Sequence, residues 1–367
     1  MKLICSKANL LKGVNIVSKA VPTRTTMNIL ECILIDASTD EIKFTANDME
    51  LGIETKIEGE IVEHGIIALD AKIFSEIVRK LPDNEVTIET DNSFQTLITC
   101  EKAKFNIAGK DGEDFVALPE IEKTHFITLS QFSLKEIIRQ TIFSISDNES
   151  NRMMSGELLQ IDQDQLRLVS LDGQRISIRK ISLKESYDPI KAVIPGKTLN
   201  EISKILSGDM DDDVRIYFTD RHVLFEFDQT VVVSRLLEGE YFQIDKMISS
   251  DYNTKITINK KELQGCIERA SLLIRESERK PIIINVTDGS MEMKIQSAMG
   301  SMNEDIDISK EGRDIMIGFN PKFILDALRV IDDEEITMYL VNPKAPFIIK
   351  NDEQSYIYLV LPISFNM

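Results

Sequence analysis

The chain has no tryptophan, three histidines and four cysteines in 367 residues. His64, His125 and His222 lie far from one another and from any cysteine, so no zinc or iron ligand spacing exists. Cys5, Cys32, Cys100 and Cys266 show no CxxC pattern, and reduced thiols in a cytosolic protein are the simplest reading. No apolar run approaches the roughly 18 residues that would suggest a membrane span. The N-terminal MKLICSKANLLKG lacks the uninterrupted apolar stretch of a signal peptide. A soluble, cytoplasmic protein without a membrane partner is the expectation.

Catalytic patterns are missing too. No GxSxG elbow occurs. Gly196-Lys197-Thr198 looks like the end of a phosphate-binding loop, but Lys191 stands where that loop needs its first glycine. Asp209, Asp211, Asp212 and Asp213 form an acidic run that reads better as a solvated turn than as a metal site. No catalytic residue, metal or cofactor is therefore expected, and function has to come from shape and surface.

What is present is a long repeat. Lys72, Lys197 and Lys322 recur at a constant spacing of 125 residues, inside LDAKIFSEIVRKLPDNEVTI, IPGKTLNEISKILSGDMDDDVRIYF and FNPKFILDALRVIDDEEITMYL. Each unit reads as a strand end, a helix, an acidic turn and an alternating strand. A second basic residue follows seven positions later, at Arg79, Lys204 and Arg329. Seven residues return to nearly the same helical face, opposite the apolar one. Such self-similarity decides the architecture.

The periodicity predicts three further helices, one opening each third. The apolar stripes are Leu10, Val14 and Val17; Leu134, Ile137, Ile138, Thr141 and Ile142; and Leu263, Cys266, Ile267, Ala270 and Ile274. The rest is rich in short alternating strands such as LGIETKI, about eight to each third. Two helices per unit on antiparallel strands give an α+β fold. Domains are expected at 1–122, 123–248 and 249–367. The formal net charge is −18, yet all six helical segments are net positive, so strands and loops are strongly acidic. Helix propensity does not require that segregation, since Glu and Lys are comparable helix formers.

Over its full length the sequence resembles the bacterial DNA polymerase III beta subunits, the sliding clamps. The stretches that carry the resemblance are MKLICSKANLLKGV, RLVSLDGQRISI, DIMIGFNPKFILDAL and YLVLPISF. The resemblance implies a head-to-tail homodimer forming a six-domain ring, with helices lining a hole for double-stranded DNA. It implies a non-enzymatic processivity factor that binds DNA without regard to sequence. Its implied protein partners are the DNA polymerase III alpha subunit, the clamp loader delta subunit and other proteins bearing clamp-binding motifs. The basic helices then make physical sense, because a cationic lining offsets repulsion of the phosphate backbone.

By the resemblance Arg24 and Asn148 touch DNA, while the repeat itself adds Lys72, Arg79, Lys197, Lys204, Lys322 and Arg329. The resemblance also implies an apolar peptide cleft at Met154, Leu171, Gly173, Arg175, Ile176, Phe242, Lys246, Met247, Asn320, Phe323, Pro346, Leu359, Leu361, Pro362, Ile363 and Ser364. Phe105 and Ile107, with Leu272 and Leu273, are expected at the subunit interface. The chain departs from the family pattern at Leu171, Gln174, Phe242 and the C-terminal Phe365-Asn366-Met367. It departs again after Arg24, where Thr-Thr-Met-Asn replaces a proline-bearing pattern. A scaffold of similar fold that does not encircle DNA is the alternative, which the uniformly basic helices disfavour.

Overall fold

A computed structural model describes residues 1–148, 151–249, 251–275 and 280–365. Asn366 and Met367, part of the C-terminal departure, lie outside the described residues. The described residues include helices α1 (Lys7–Val17), α2 (Ala71–Lys80), α3 (Gln131–Arg139), α4 (Gly196–Ile205), α5 (Lys260–Ser271) and α6 (Pro321–Leu328). All six helical segments read from the sequence are helical. Their starts have local causes. The side chains of Ser6, Asp70, Asn259 and Asn320 accept the backbone N–H groups of Asn9, Ile73, Glu262 and Lys322. Ser130 does the same for Ser133 at 3.1 Å. Each satisfies a donor that the first helical turn leaves open.

One boundary differs from the pattern. Helix α3 ends at Arg139, not at Ile142, and Ile142–Ser144 forms a tighter 3-10 turn. The Thr141 hydroxyl lies 2.8 Å from the Ile137 carbonyl, a local side-chain bond that competes with helix continuation.

Every strand pairing among the described residues is antiparallel, in sheets of 13, 7 and 4 strands. The chain divides into two compact units, Met1–Ser133 with Glu201–Leu236, and Leu134–Asn200 with Leu237–Met367. The division cuts through the middle third, and the strand pairing explains why. In the first unit Leu51–Ile57 pairs with Thr230–Arg235, joining the first third to part of the middle one. In the second unit Arg175–Pro195 pairs with Tyr356–Val360, joining the rest of the middle third to the last. Backbone hydrogen bonding thus continues from third to third. At the first junction the Thr55 and Thr230 hydroxyls meet at 2.9 Å, out of solvent.

In the first unit α1 and α2 pack on each other and on the sheet, burying Leu10, Val14, Val17, Phe74, Ile77 and Val78. Gly13 is the close-approach point. A Cβ there would lie 2.6 Å from Ile57 Cγ2 and 3.1 Å from Phe44 Cδ2. In the second unit α5 and α6 pack together over a core that includes Leu263, Ile267, Ile324, Leu328 and Phe347. A Cβ at Gly265 of α5 would meet only the flexible Arg269 guanidinium beyond the helix backbone, at 3.2 Å.

The middle third has fewer and longer strands than the pattern suggests, notably Gly156–Leu171 and Arg175–Pro195. At the start of the first of these sits Glu157, with no exposed surface. Burial pushes its carboxyl up to about 8. Thr141 Oγ1 lies 2.9 Å from Glu157 Oε2 as well as 2.8 Å from Ile137 O. One hydroxyl proton cannot serve both acceptors. A protonated Glu157 donating to Thr141, which donates onward to Ile137, completes the chain.

Gly13→Ala should therefore lower the denaturation midpoint by the overpacking cost of about 1–3 kcal/mol, despite its better helix propensity. Gly265→Ala should instead raise it by up to about 1 kcal/mol. Equal effects of the two would show that the Ile57 contact does not matter. For Glu157, the folded carboxyl titrates above the unfolded one. The folded state therefore holds the extra proton between the two values, and stability falls as pH rises through that window to about 8. Glu157→Gln should match wild type near pH 5 and exceed it at pH 9, by at least the ~2–4 °C in Tm that corresponds to about 1 kcal/mol. Parallel pH profiles would refute a proton on Glu157.

Candidate nucleic-acid interface and peptide cleft

The eight cationic or polar residues expected at DNA are all solvent-exposed: Arg24, Lys72, Arg79, Asn148, Lys197, Lys204, Lys322 and Arg329. Arg24 lies in the loop after α1, and Asn148 follows the 3-10 turn after α3. Five of the six repeat residues lie on α2, α4 and α6, and Arg329 is the residue that ends α6; all six are exposed. The second cation of each helix has an acidic neighbour three residues earlier. Arg79 pairs with Glu76, Lys204 with Glu201 at 2.7 Å, and Arg329 with Asp326 at 3.8 Å. Sequence reading missed these acids, although they follow the same 125-residue period.

The expected cleft residues fall into three groups. Leu171, Ile176 and Leu359 are buried in one apolar cluster, against which Met154 and Phe242 pack partly exposed. The same cluster includes Val169, Tyr241, Ile244 and Ile348, with Met153, Ile248 and Tyr339 at its edge. Met247 and Leu361 stay 44% and 38% exposed, while Met154 and Phe242 are half-buried at the edge of the cluster. Leu171, Ile176 and Leu359 form its floor. Gly173, in the left-handed region at φ +86°, places its backbone beside Met154 Cε.

The second group surrounds Arg175, 7% exposed. Its Nε donates to Asp172 Oδ2 at 2.9 Å and its Nη1 to Asp326 Oδ2 at 2.6 Å, and Nη2 donates to the Phe143 carbonyl. Its guanidinium lies 4.6 Å from the centre of the Phe323 ring and 5.5 Å from that of Phe143. Asn320 caps the helix that carries Phe323 and Asp326. Two carboxylates, a carbonyl and two rings explain how a guanidinium is held out of water. Nothing in the sequence pattern marks Asp172 or Asp326 as partners of Arg175.

The third group is the C-terminal segment. Leu361 N–H donates to the Gln174 carbonyl and Ile363 N–H to the Gly318 carbonyl, both at 2.8 Å. Phe365 rests on Gly318. Ile363, Ser364 and Phe365 line a separate cavity with Arg313, Met316, Val341 and Lys344. Pro346 is half-buried, and Lys246 is exposed at the end of the short turn Ile244–Lys246.

The interface candidates flank open strand edges. Phe105 is 37% exposed and Ile107 half-buried, on Ala103–Asp111. Residues 103–108 of that strand pair only with Gln95–Cys100 among the described residues. Leu272 is 74% exposed. Leu273 Cδ2 would lie 3.7 Å from a Cβ on Gly300, at the start of Gly300–Asp307. That strand pairs only with Ser290–Ser297 among the described residues.

Comparison with known proteins covers the chain almost end to end. Models of the DNA polymerase III beta subunit match residues 1–119 (N-terminal domain), 128–243 (central domain) and 245–364 (C-terminal domain). The beta sliding clamp of Bacillus subtilis is 37% identical, over 99% of each chain, and one from Staphylococcus epidermidis is 34% identical, also over 99% of each. The crystal structure of a putative DNA polymerase III beta subunit from Eubacterium rectale superposes with a TM-score of 0.97 at 69% identity, covering 100% of both chains. The DNA polymerase sliding clamp structure from Bacillus subtilis gives 0.96 at 36% identity, with the same coverage.

Asp326→Asn should leave the buried Arg175 with one carboxylate partner. A loss of about 1–3 kcal/mol is expected, the cost of an unmet buried polar group, read as a lower urea midpoint. Arg329→Gln, which removes the exposed partner of the same carboxylate, should change the midpoint by less than ~1 kcal/mol. The reverse order would place the structural role of Asp326 at Arg329.

Proposed function

This chain belongs to the family of DNA polymerase III beta subunits, the sliding clamps, and on that premise we propose that it encircles duplex DNA as a head-to-tail homodimer. The observation that carries the proposal is the strand pairing. The last strand of the last third, Tyr356–Val360, pairs with Arg175–Pro195 of the middle one, and the last strand of the middle third, Thr230–Arg235, pairs with Leu51–Ile57 of the first. Among the described residues one joint of the same kind remains unmade. The last strand of the first third, Ala103–Asp111, and the third-domain strand Gly300–Asp307 each keep an open edge.

Open edges attract partners or invite aggregation. Joining the first edge to the second edge of another copy repeats the internal junction, and two such joints close a ring. Phe105 and Ile107 then meet Leu272 and Leu273 of the partner copy. The domains are those of the repeat, 1–122, 123–248 and 249–367. The exposed cations of α2, α4 and α6, with Arg24 and Asn148, face the duplex. Their phosphate contacts are sequence-independent and weak, while retention is topological.

The cleft around Met154, Phe242, Met247 and Leu361 takes short apolar segments of the polymerase alpha subunit, the clamp loader delta subunit and other motif-bearing proteins. Met and Leu give it deformable apolar surface, which suits several partners in turn. The protein works in the cytoplasm as a processivity factor and catalyses nothing itself. Among the described residues no helix is long and apolar enough to cross a membrane.

Topology supplies the test. Protein loaded by a clamp loader onto nicked circular DNA should stay bound until a restriction cut linearises the circle, then slide off. Phe105→Glu should leave a monomer in sedimentation that is not retained. Equal retention on linear and circular DNA, or a wild-type monomer at micromolar concentration, would favour the non-encircling scaffold.

A further inference from the structure

The basic repeat contains its own counter-charge. Glu76, Glu201 and Asp326 stand four residues after each repeated lysine and three before each second cation. In every copy the carboxylate is ion-paired to that cation. Helix α3 has the same arrangement, with Glu136 and Arg139 at 2.7 Å. A helix puts positions three apart side by side, but it does not require an acid there. Exposed pairs of this kind add little to stability, so stability alone does not account for Glu76 and Glu201, while Asp326 also holds the buried Arg175.

Geometry suggests another purpose. In α4 and α6 the carboxylate is the sheltered member and the cation the exposed one. Glu201 and Asp326 are 17% and 15% exposed, against 46% for Lys204 and 57% for Arg329. Each cation therefore projects to solvent with a fixed negative charge at its base. A phosphate that approaches it competes with the carboxylate already in place. We propose that Glu76, Glu201 and Asp326 set the mobility of this protein on DNA, by holding the lining's attraction for phosphate below the level that would arrest sliding. The inference rests on the encirclement reading. It assigns the acids, not the cations, the task of limiting the grip.

Salt dependence separates this from a structural role. Each phosphate newly neutralised by a released cation steepens log K against log salt by about 0.9, roughly threefold in binding over a fourfold change in salt. The test uses fluorescently labelled, full-length protein loaded onto circular DNA, with one-dimensional diffusion tracked at about 50 and 200 mM salt. The variant is Glu76→Gln with Glu201→Gln. Asp326 is left intact because it also holds Arg175.

The double variant should diffuse several-fold more slowly than wild type at low salt, with the gap closing at high salt. Glu76→Asp with Glu201→Asp should restore wild-type mobility. If the double variant unfolds, Glu76→Gln alone serves, since Glu76 is 54% exposed, and it should show about half the effect. Retained protein with unchanged mobility overturns this inference alone. Slowing that persists at high salt overturns it too, by pointing to altered shape. Wild type that is not retained on circles overturns the encirclement reading, and this inference with it.

Discussion

Antiparallel pairing between strand edges is the constraint on which the rest of this structure depends. Leu51–Ile57 with Thr230–Arg235, and Arg175–Pro195 with Tyr356–Val360, carry hydrogen bonding from one repeat to the next. Backbone pairing is directional and satisfies every donor and acceptor along the joint. It therefore fixes how one repeat meets its neighbour more firmly than side-chain packing alone would. It also explains why the chain separates into compact units that do not follow the repeat, since each part of the middle third is bonded to the outer third beside it. The edges left over, at Ala103–Asp111 and Gly300–Asp307, have the requirements of an unfinished joint.

Charge is organised on top of that frame. A chain of net charge −18 would ordinarily be repelled by nucleic acid. Here the cations are concentrated on helices and the acids on strands and turns. In the ring proposed above, that arrangement attracts DNA along the lining and rejects it elsewhere. On the same proposal, the acids paired with Arg79, Lys204 and Arg329 temper that attraction where it acts. Weak attraction with topological retention permits movement along the duplex, whereas strong individual contacts would oppose it.

The cleft is organised around a buried guanidinium. Arg175 joins the loop carrying Asp172 to helix α6 through Asp326, and both of its ring neighbours, Phe143 and Phe323, come from different segments. Asp326 in turn faces Arg329 on its other side. One carboxylate thus pairs both with the buried guanidinium and with the exposed cation at the end of α6. Leu171, Ile176 and Leu359, expected as contact surface, are mostly floor. On the proposed reading, a bound peptide meets Met154, Phe242, Met247 and Leu361, which are partly or largely exposed.

Local features were legible in the sequence because their causes are local. Helix positions follow from apolar period and from caps such as Asp70 and Asn320, which act within one turn. The repeat of Lys72, Lys197 and Lys322 and the sign of each helix needed only counting. The acids at 76, 201 and 326 were equally available to that counting, yet their pairing gains meaning only once the side chains are seen to meet. What the tertiary structure alone decided are relations between distant segments. These are which strands find partners and which keep an open edge, that Arg175 meets Asp326 across 151 residues, and that Glu157 is sealed from water. Such relations depend on how many strands compete for each edge and on how the whole core closes, and no short window of sequence contains that information.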